Sequence, residues 1–224
     1  RKIPFVVDVK DLWPDVFVEN LLGWKRRIAK ILLSYYYFAT RKIYNRATGI
    51  TTITDKFLQY IENFSNRDSN ELNKVFPLVS NLTLVNNNFN LVENWWDSIG
   101  VYNDNIFKVV YVGNLSSNID LSEVKNAAKL FKERNIKIQF VICGGGNYLE
   151  IFKHMMQDLD NVIFPGWVNQ EQVSVLAKRS NVWLIPYFNK ENFRLSLPNK
   201  TFDALYFGIP LLSSLEGEVK NLII

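Results

Sequence analysis

The spacing of hydrophobic and polar positions changes character near the middle of the chain. In the second half, short β-branched and apolar runs at 108–112, 138–142, 162–164 and 182–186 predict strands. Stretches with apolar residues three and four apart, at 121–134, 148–156 and 170–179, predict helices between them. Regular alternation of this kind builds βαβ units, hence a parallel sheet with right-handed crossovers. The alternation ends in 197–218. There a polar entry (Ser196, Pro198, Asn199) opens a helix carrying Phe202, Leu205 and Tyr206, and Gly208 stands where a helix C-cap belongs. Residues 209–212 read as a buried strand, and Gly217-Glu218 as the start of a further helix.

The first half is less regular. Residues 3–9 are too short for a helix and apolar enough for a buried parallel strand. The longest helical pattern spans 20–47, with Leu21, Trp24, Ile28, Ile31, Leu32, Tyr35, Phe38 and Ile43 on one face. Residues 51–54 predict a strand, Asp55 a helix start running to Asn63, 65–73 a polar loop, and 75–79 a short strand. Residues 81–100 alternate Asn with apolar residues up to Trp95-Trp96 and read as a connecting loop. The expected organisation is therefore the later part of one domain over 1–80, a linker region over 81–107 and a second domain over 108–224.

Composition narrows the class. Hydrophobic residues at 48% and aromatic residues at 14% exclude a disordered chain. The single cysteine, Cys143, allows no internal disulfide, in keeping with a reducing compartment, and packing at a strand end is its expected role. With one cysteine and one histidine no metal site is expected, and His154 sits in a helical pattern that suits a surface or packing role. No apolar run approaches the ~20 residues that span a bilayer, so a soluble or peripheral protein is expected. The net charge of +4 is unevenly spread: 20–54 contains no Asp or Glu but holds Lys25, Arg26, Arg27, Lys30, Arg41, Lys42 and Arg46. Such a helix is either a domain helix with a solvated basic face or a helix that lies on an anionic membrane, each cation adding about 1 kcal/mol. Nucleic-acid binding would use the same charge and explain nothing else, so no nucleic-acid partner is expected. The chain opens on Arg1 directly before a strand and reads as a piece of a longer protein.

The candidate chemistry clusters where strands end, because open parallel sheets bind ligands there. Gly113, with Asn114 beside it, lets a ligand approach the backbone after the first strand of the regular half. Gly144 and Gly145 form either a tight turn or a wall of a nucleotide site. Gly166, Trp167 and Val168 follow the next strand, where Trp167 either stacks on a ligand or packs in the core. The strongest signal is Pro198-Asn199-Lys200, since a lysine in the first turn of a helix adds charge to the end that favours a diphosphate. Arg194 on the preceding loop is a second phosphate candidate, and Ser214 and Glu218 close the segment, Glu218 also fitting as a simple dipole partner.

The spelling of PNKTFDALYFGIPLLSSLEGEV (198–219) resembles the donor-binding segment of family 4 glycosyltransferases of the GT-B class, in the branch that builds bacterial surface polysaccharides. VVDVKDLWPD (6–15), VVYVGNL (109–115), FVICGGG (140–146), NVIFPGWV (161–168) and NVWLIPY (181–187) continue it in the family's order. The resemblance implies an α/β GT-B fold of two Rossmann-like domains, here an incomplete N-terminal domain plus most of the C-terminal donor domain. It further implies transfer of a hexosyl or N-acetylhexosaminyl group from a nucleotide-diphosphate sugar, UDP above all, to a glycan or lipid-linked acceptor. Retention at the anomeric carbon, no cofactor, no obligatory metal and a cytoplasmic place at the inner face of the cell membrane belong to the same expectation, as do capsule, O-antigen or exopolysaccharide products. By position, Lys200, Asp11 and Arg194 would serve catalysis. The donor would contact Gly113, Asn114, Gly144, Gly145, Gly166, Trp167, Val168, Pro198, Asn199, Asp203, Ser214 and Glu218. The sequence departs from the pattern in three places. Lys10 and Asp11 stand where many members carry a histidine, Asn114 where many carry a basic residue, and Leu195 with Asp203 where many carry two glutamates. These departures keep a non-catalytic partner of the same fold, and more remotely a nucleotide-sugar epimerase, as rival readings.

Overall fold

The computed structural model describes residues 3–80 and 89–223. It contains two parallel sheets. The first has the order β1-β2-β3, from β1 (Val6–Asp8), β2 (Gly49–Thr52) and β3 (Lys74–Val75). Helices α1 (Gly23–Leu32) and α2 (Ser34–Arg46) connect β1 to β2, and α3 (Asp55–Ser65) connects β2 to β3. Next come α4 (Phe89–Ser98), β4 (Phe107–Val112), α5 (Ser122–Glu133), β5 (Ile138–Cys143), α6 (Leu149–Met155), β6 (Val162–Gly166), α7 (Gln170–Arg179) and β7 (Val182–Ile185). A short α8 (Glu191–Leu195), then α9 (Asn199–Phe207), β8 (Leu211–Ser213) and α10 (Glu218–Ile223) complete the chain. The second sheet has the order β6-β5-β4-β7-β8, all neighbours parallel.

Alternating strand residues enter different cores, which is what makes this second sheet two-sided. Val110, Val141, Cys143 and Trp183 pack on one face with Val92, Trp96, Leu176 and Ala204. Val109, Tyr111, Phe140, Ile142 and Leu184 pack on the other with Val124, Ala128 and Phe152. The first sheet has its own core, built from Val9, Ile50, Ile53, Phe57 and Ile61.

Several expectations shift. Thr54, not Asp55, caps α3, its hydroxyl accepting from the Phe57 N–H at 3.1 Å; the helix runs on to Ser65. The long helix expected over 20–47 is two helices meeting at Leu33, whose ψ of 6° leaves helical geometry although backbone bonds to Ala29 and from Tyr37 carry on across it. The loop expected over 81–100 contains α4; its part at 81–88 lies outside the described residues. Asparagine's weak helix preference hides the pattern, but Val92 and Trp96 fall on one face, and burial against α7 outweighs propensity. Arg179 of α7 fixes this helix, its guanidinium donating to the Asp97 carboxylate at 2.6 Å and to the Val101 carbonyl.

Candidate active site

The order β6-β5-β4-β7-β8 reverses direction between β4 and β7, and the crevice outside the carboxyl ends at such a reversal is where open α/β sheets take ligands. A cleft of about 460 Å³ lies there. Gly113 follows β4, Tyr187 follows β7, α9 enters with Pro198, Asn199, Lys200 and Asp203, and the first half contributes Lys10 and Asp11 from the end of β1.

Lys200 is the centre of this cleft. Only 9% exposed, its amine donates to the Tyr187 hydroxyl at 2.7 Å and the Tyr111 hydroxyl at 3.3 Å, with both rings within cation–π range at 4.5 and 4.7 Å. Burial pulls its pKa down to about 7, against an opposing pull from Asp203. Burial also lifts the Tyr187 phenol to about 12 and raises the Asp203 carboxyl, which is held in turn by a 2.7 Å bond from the Ser80 hydroxyl and by the Lys200 charge. Gly113 is small for a reason: a Cβ there would stand 2.8 Å from the Lys200 amine. The strand-end backbone and the lysine thus occupy one space.

The two halves are joined across the cleft by α8. Asn192, 6% exposed, accepts from the Leu12 N–H at 3.0 Å, donates from its amide to Asp11 Oδ1 at 3.1 Å, and donates its backbone N–H to Glu19 Oε1 at 3.1 Å. The Thr54 hydroxyl donates to the Leu195 carbonyl, and Lys56 pairs with Glu218 at 2.8 Å. Asn192→Ala leaves the buried Leu12 N–H without its acceptor and is expected to cost about 1–3 kcal/mol in chemical denaturation, with Asn192→Asp recovering less than half.

A family model described as glycosyl transferases group 1 matches residues 96–224, more than half of the chain. The chain belongs to the group 1 glycosyl transferases. No curated protein sequence matches it. Among solved structures, WaaG, described as a glycosyltransferase involved in lipopolysaccharide biosynthesis, superposes with a TM-score of 0.67 at 16% identity over 99% of this chain and 60% of its own. HepE from Anabaena, in complex with UDP and glucose, gives 0.60 at 15% over 99% and 55%. Sucrose-phosphate synthase from Thermosynechococcus elongatus gives 0.69 at 14% over 100% and 53%. The likeness is one of fold, GT-B with parallel sheets, and this group 1 member spans a little over half the length of those proteins.

The residues expected from sequence divide into three groups. Asp11, Gly113, Pro198, Asn199, Lys200 and Asp203 line the cleft together. Gly144, Gly145, Gly166 and Trp167 lie along the neighbouring strand ends, Trp167 with 75% of its surface exposed, while Val168 is a core residue and Asn114 borders a second cavity beside the first. Three more stand apart from both the cleft and the neighbouring strand ends. Arg194 points to solvent because α8 turns its other side to the first half; Ser214 is exposed past β8; and Glu218 is engaged by Lys56 as a strut between the halves. Lys10 leans on Asp8 at 3.3 Å, and His154 is exposed beside Gln157, as expected of a surface residue. Reasoning from sequence missed Tyr111, Tyr187 and Asn192. A tyrosine among the valines of β4 was the one available signal; nothing marked Asn192. Among the described residues no group of three or more His, Cys, Asp or Glu comes together.

Proposed function

We propose that the chain carries the donor-binding half, and part of the acceptor half, of a glycosyltransferase that moves a hexosyl or N-acetylhexosaminyl group from a nucleotide-diphosphate sugar to a glycan or lipid-linked acceptor. The observation that carries this reading is the buried Lys200 amine at the strand-order reversal, in a member of the group 1 family. In the reaction the bond between the anomeric carbon and the diphosphate oxygen breaks, and negative charge grows on the leaving diphosphate. Lys200 and the N-terminal amides of α9 stabilise that charge, an electrostatic contribution that grows as the cleft excludes water. Asp203 takes the ribose hydroxyls, Trp167 offers its exposed ring to the base, and Asp11 faces the transferred sugar. UDP as the nucleotide, retention of configuration, no obligatory metal and a product in cell-surface polysaccharide complete the proposal. Calorimetric titration of the chain with UDP, GDP and UDP-sugars tests it. Binding of a uridine nucleotide is the expected outcome; a folded chain that binds none of them is instead a non-catalytic member of the fold.

The acceptor side of the proposal places this enzyme at the cytoplasmic face of a membrane. Leu22 and, on helices α1 and α2, Trp24, Ile31, Leu32, Tyr35 and Phe38 stand in the open beside Lys25, Arg27 and Lys42. Among the described residues no helix is long and apolar enough to cross a bilayer, which leaves an interfacial mode for this face. The chain is expected to sediment with phosphatidylcholine vesicles containing phosphatidylserine and not with phosphatidylcholine alone. Replacing Lys25 and Arg27 by glutamine is expected to weaken that binding by about 2 kcal/mol, roughly 30-fold. Equal binding to both kinds of vesicle would remove this part of the reading.

A further inference from the structure

The contacts of Lys200 leave one hydroxyl hydrogen without a partner. The amine donates to the oxygens of Tyr187 at 2.7 Å and Tyr111 at 3.3 Å. An ammonium gives hydrogens and takes none, so each phenol has to place its own hydrogen elsewhere. Tyr111 donates its hydrogen to the Asn114 carbonyl at 2.8 Å. For the hydrogen of Tyr187 no acceptor stands among the described residues, and Tyr187 lines the cleft next to Gly113, Asn199 and Lys200. A hydroxyl that accepts from a cation is also a stronger donor, because hydrogen bonds in a chain polarise one another.

The Tyr187 hydroxyl is held in place from two sides. The backbone around it is pinned to the loop after β4, the Asp120 N–H donating to the Pro186 carbonyl at 2.7 Å and the Phe188 N–H to the Asn118 carbonyl at 3.1 Å. Phe193 of α8 stacks on the Tyr187 ring, with centroids 4.3 Å apart and planes 26° from parallel, and so restrains the phenol from swinging. Burial lifts the Tyr187 pKa to about 12, which keeps the hydrogen on the oxygen throughout the neutral range. The cleft also has need of such a donor. Of the described residues that line it, Lys10 and Lys200 are the cations, and Lys10 leans on Asp8 at 3.3 Å. A diphosphate carries more negative charge than one well-placed amine offsets, so neutral donors fixed beside that amine take part of the load.

We propose that Tyr187 is a second residue that binds the leaving diphosphate: its hydroxyl donates to one phosphate oxygen while Lys200 donates to a neighbouring one and, through the bond they share, strengthens the phenol as a donor. The inference rests on the nucleotide-sugar reading above and adds a residue and a contact to it. In the transfer step the bond between the anomeric carbon and the diphosphate oxygen breaks, and its electron pair passes to that oxygen. The phenol meets the growing charge with a hydrogen bond and keeps its proton.

Calorimetric titration of the full chain, of Tyr187→Phe and of Tyr111→Phe with UDP tests it. Tyr187→Phe keeps the ring and its stack on Phe193 and removes only the hydroxyl. In a sample with the wild-type melting transition it is expected to weaken UDP binding at least about fivefold, since a hydrogen bond to a charged group is worth roughly tenfold or more and water refills part of the gap. Tyr111→Phe, whose hydrogen is already committed to Asn114, is expected to lose less. At saturating UDP the phosphorus NMR resonances of the bound diphosphate are expected to differ between wild type and Tyr187→Phe, a change that a purely structural role would not produce. The proposal is overturned when Tyr187→Phe loses less than about fivefold, when Tyr111→Phe loses as much or more, or when the bound phosphorus resonances coincide. Both phenols would then act only by shaping the amine. A folded wild-type chain that binds no UDP overturns the nucleotide-sugar reading and this inference with it, and the wild-type titration alone tells that failure from the others.

Discussion

Lys200→Ala is expected to weaken UDP binding by about 1.5–3 kcal/mol, roughly 10- to 150-fold in Kd, in a chain that stays folded. The amine is enclosed by two phenols and faces the cleft, so a diphosphate reaching it forms a charge-assisted bond in a poorly solvated place. Burial without a carboxylate in contact has a further consequence. With a pKa of about 7, the amine is only half protonated near neutrality, and a bound diphosphate raises that pKa. Nucleotide binding therefore takes up a proton: affinity is level below pH 7 and falls as pH rises above it.

Stability moves the other way. The folded pKa of about 7 lies below the ordinary 10.5, so between these values the unfolded chain binds the extra proton. Stability attributable to this group accordingly rises with pH through that window, by at most about 1.4 kcal/mol per pH unit, and the gain is lost as pH falls towards 7. Lys200→Met is expected to be more stable than wild type at pH 7, with the gap closing by pH 10, while nucleotide affinity is lost. Guanidinium unfolding of the pair at pH 7, 8.5 and 10 measures this; parallel pH dependences would mean that the amine is solvated. A residue that costs stability where it sits, in the one place where a diphosphate would use it, is a site feature and not a packing feature.

Gly144→Ala is expected to destabilise the chain by about 3 kcal/mol or more, lowering Tm by roughly 6–12 °C. The added Cβ would stand 1.8 Å from the Gly113 carbonyl oxygen, a backbone atom with no rotamer to change, and Gly144 has φ +136°, which side-chain-bearing residues rarely adopt. Gly113 and Gly144 are tied into the ends of three strands, through Gly113 N–H to the Cys143 carbonyl at 3.0 Å and Gly144 N–H to the Gly166 carbonyl at 2.7 Å. Relief of the clash has to move Gly113, and with it the wall against Lys200, so nucleotide binding is expected to fall together with Tm. The adjacent Gly145→Ala is the control. Nothing lies within 4 Å of a Cβ at that position, and the change is expected to be neutral or stabilising by under about 1 kcal/mol. Similar melting temperatures for the two variants would sink the argument.

The regular half of the fold was legible because strands buried on both faces are apolar without interruption, and 138–143 or 182–185 can be little else. The ends of those strands were legible too, which is why Gly113, Lys200 and Asp203 could be named in advance and meet in one cleft. What escaped notice depends on pairs far apart in the chain. Tyr111 is 89 residues from Lys200, and Asn192 is 181 residues from Asp11; no local pattern records either distance. Glu218 is a case of the same kind. Its position at a helix start suited a donor contact or a simple dipole partner, and its ion-pair partner is Lys56 of α3, which only the folded chain brings near. In the same way α4 was hidden by its asparagines and revealed by what it covers.

That last helix bears on how the second sheet can be isolated. The family match opens at residue 96, inside α4, and a cut there or at the β4 strand would remove Val92 and the Glu93 carbonyl while leaving Arg179 in place. A cut at 96 would take only the Glu93 carbonyl from Arg179, which keeps Asp97 and the Val101 carbonyl, and would uncover the part of α7 beneath Val92; a cut at β4 would remove all three acceptors and Trp96 with them. Trimming to the matched residues would therefore leave α4 as a stub and bare part of the core it covers. The natural border for anyone dividing this chain lies before Phe89.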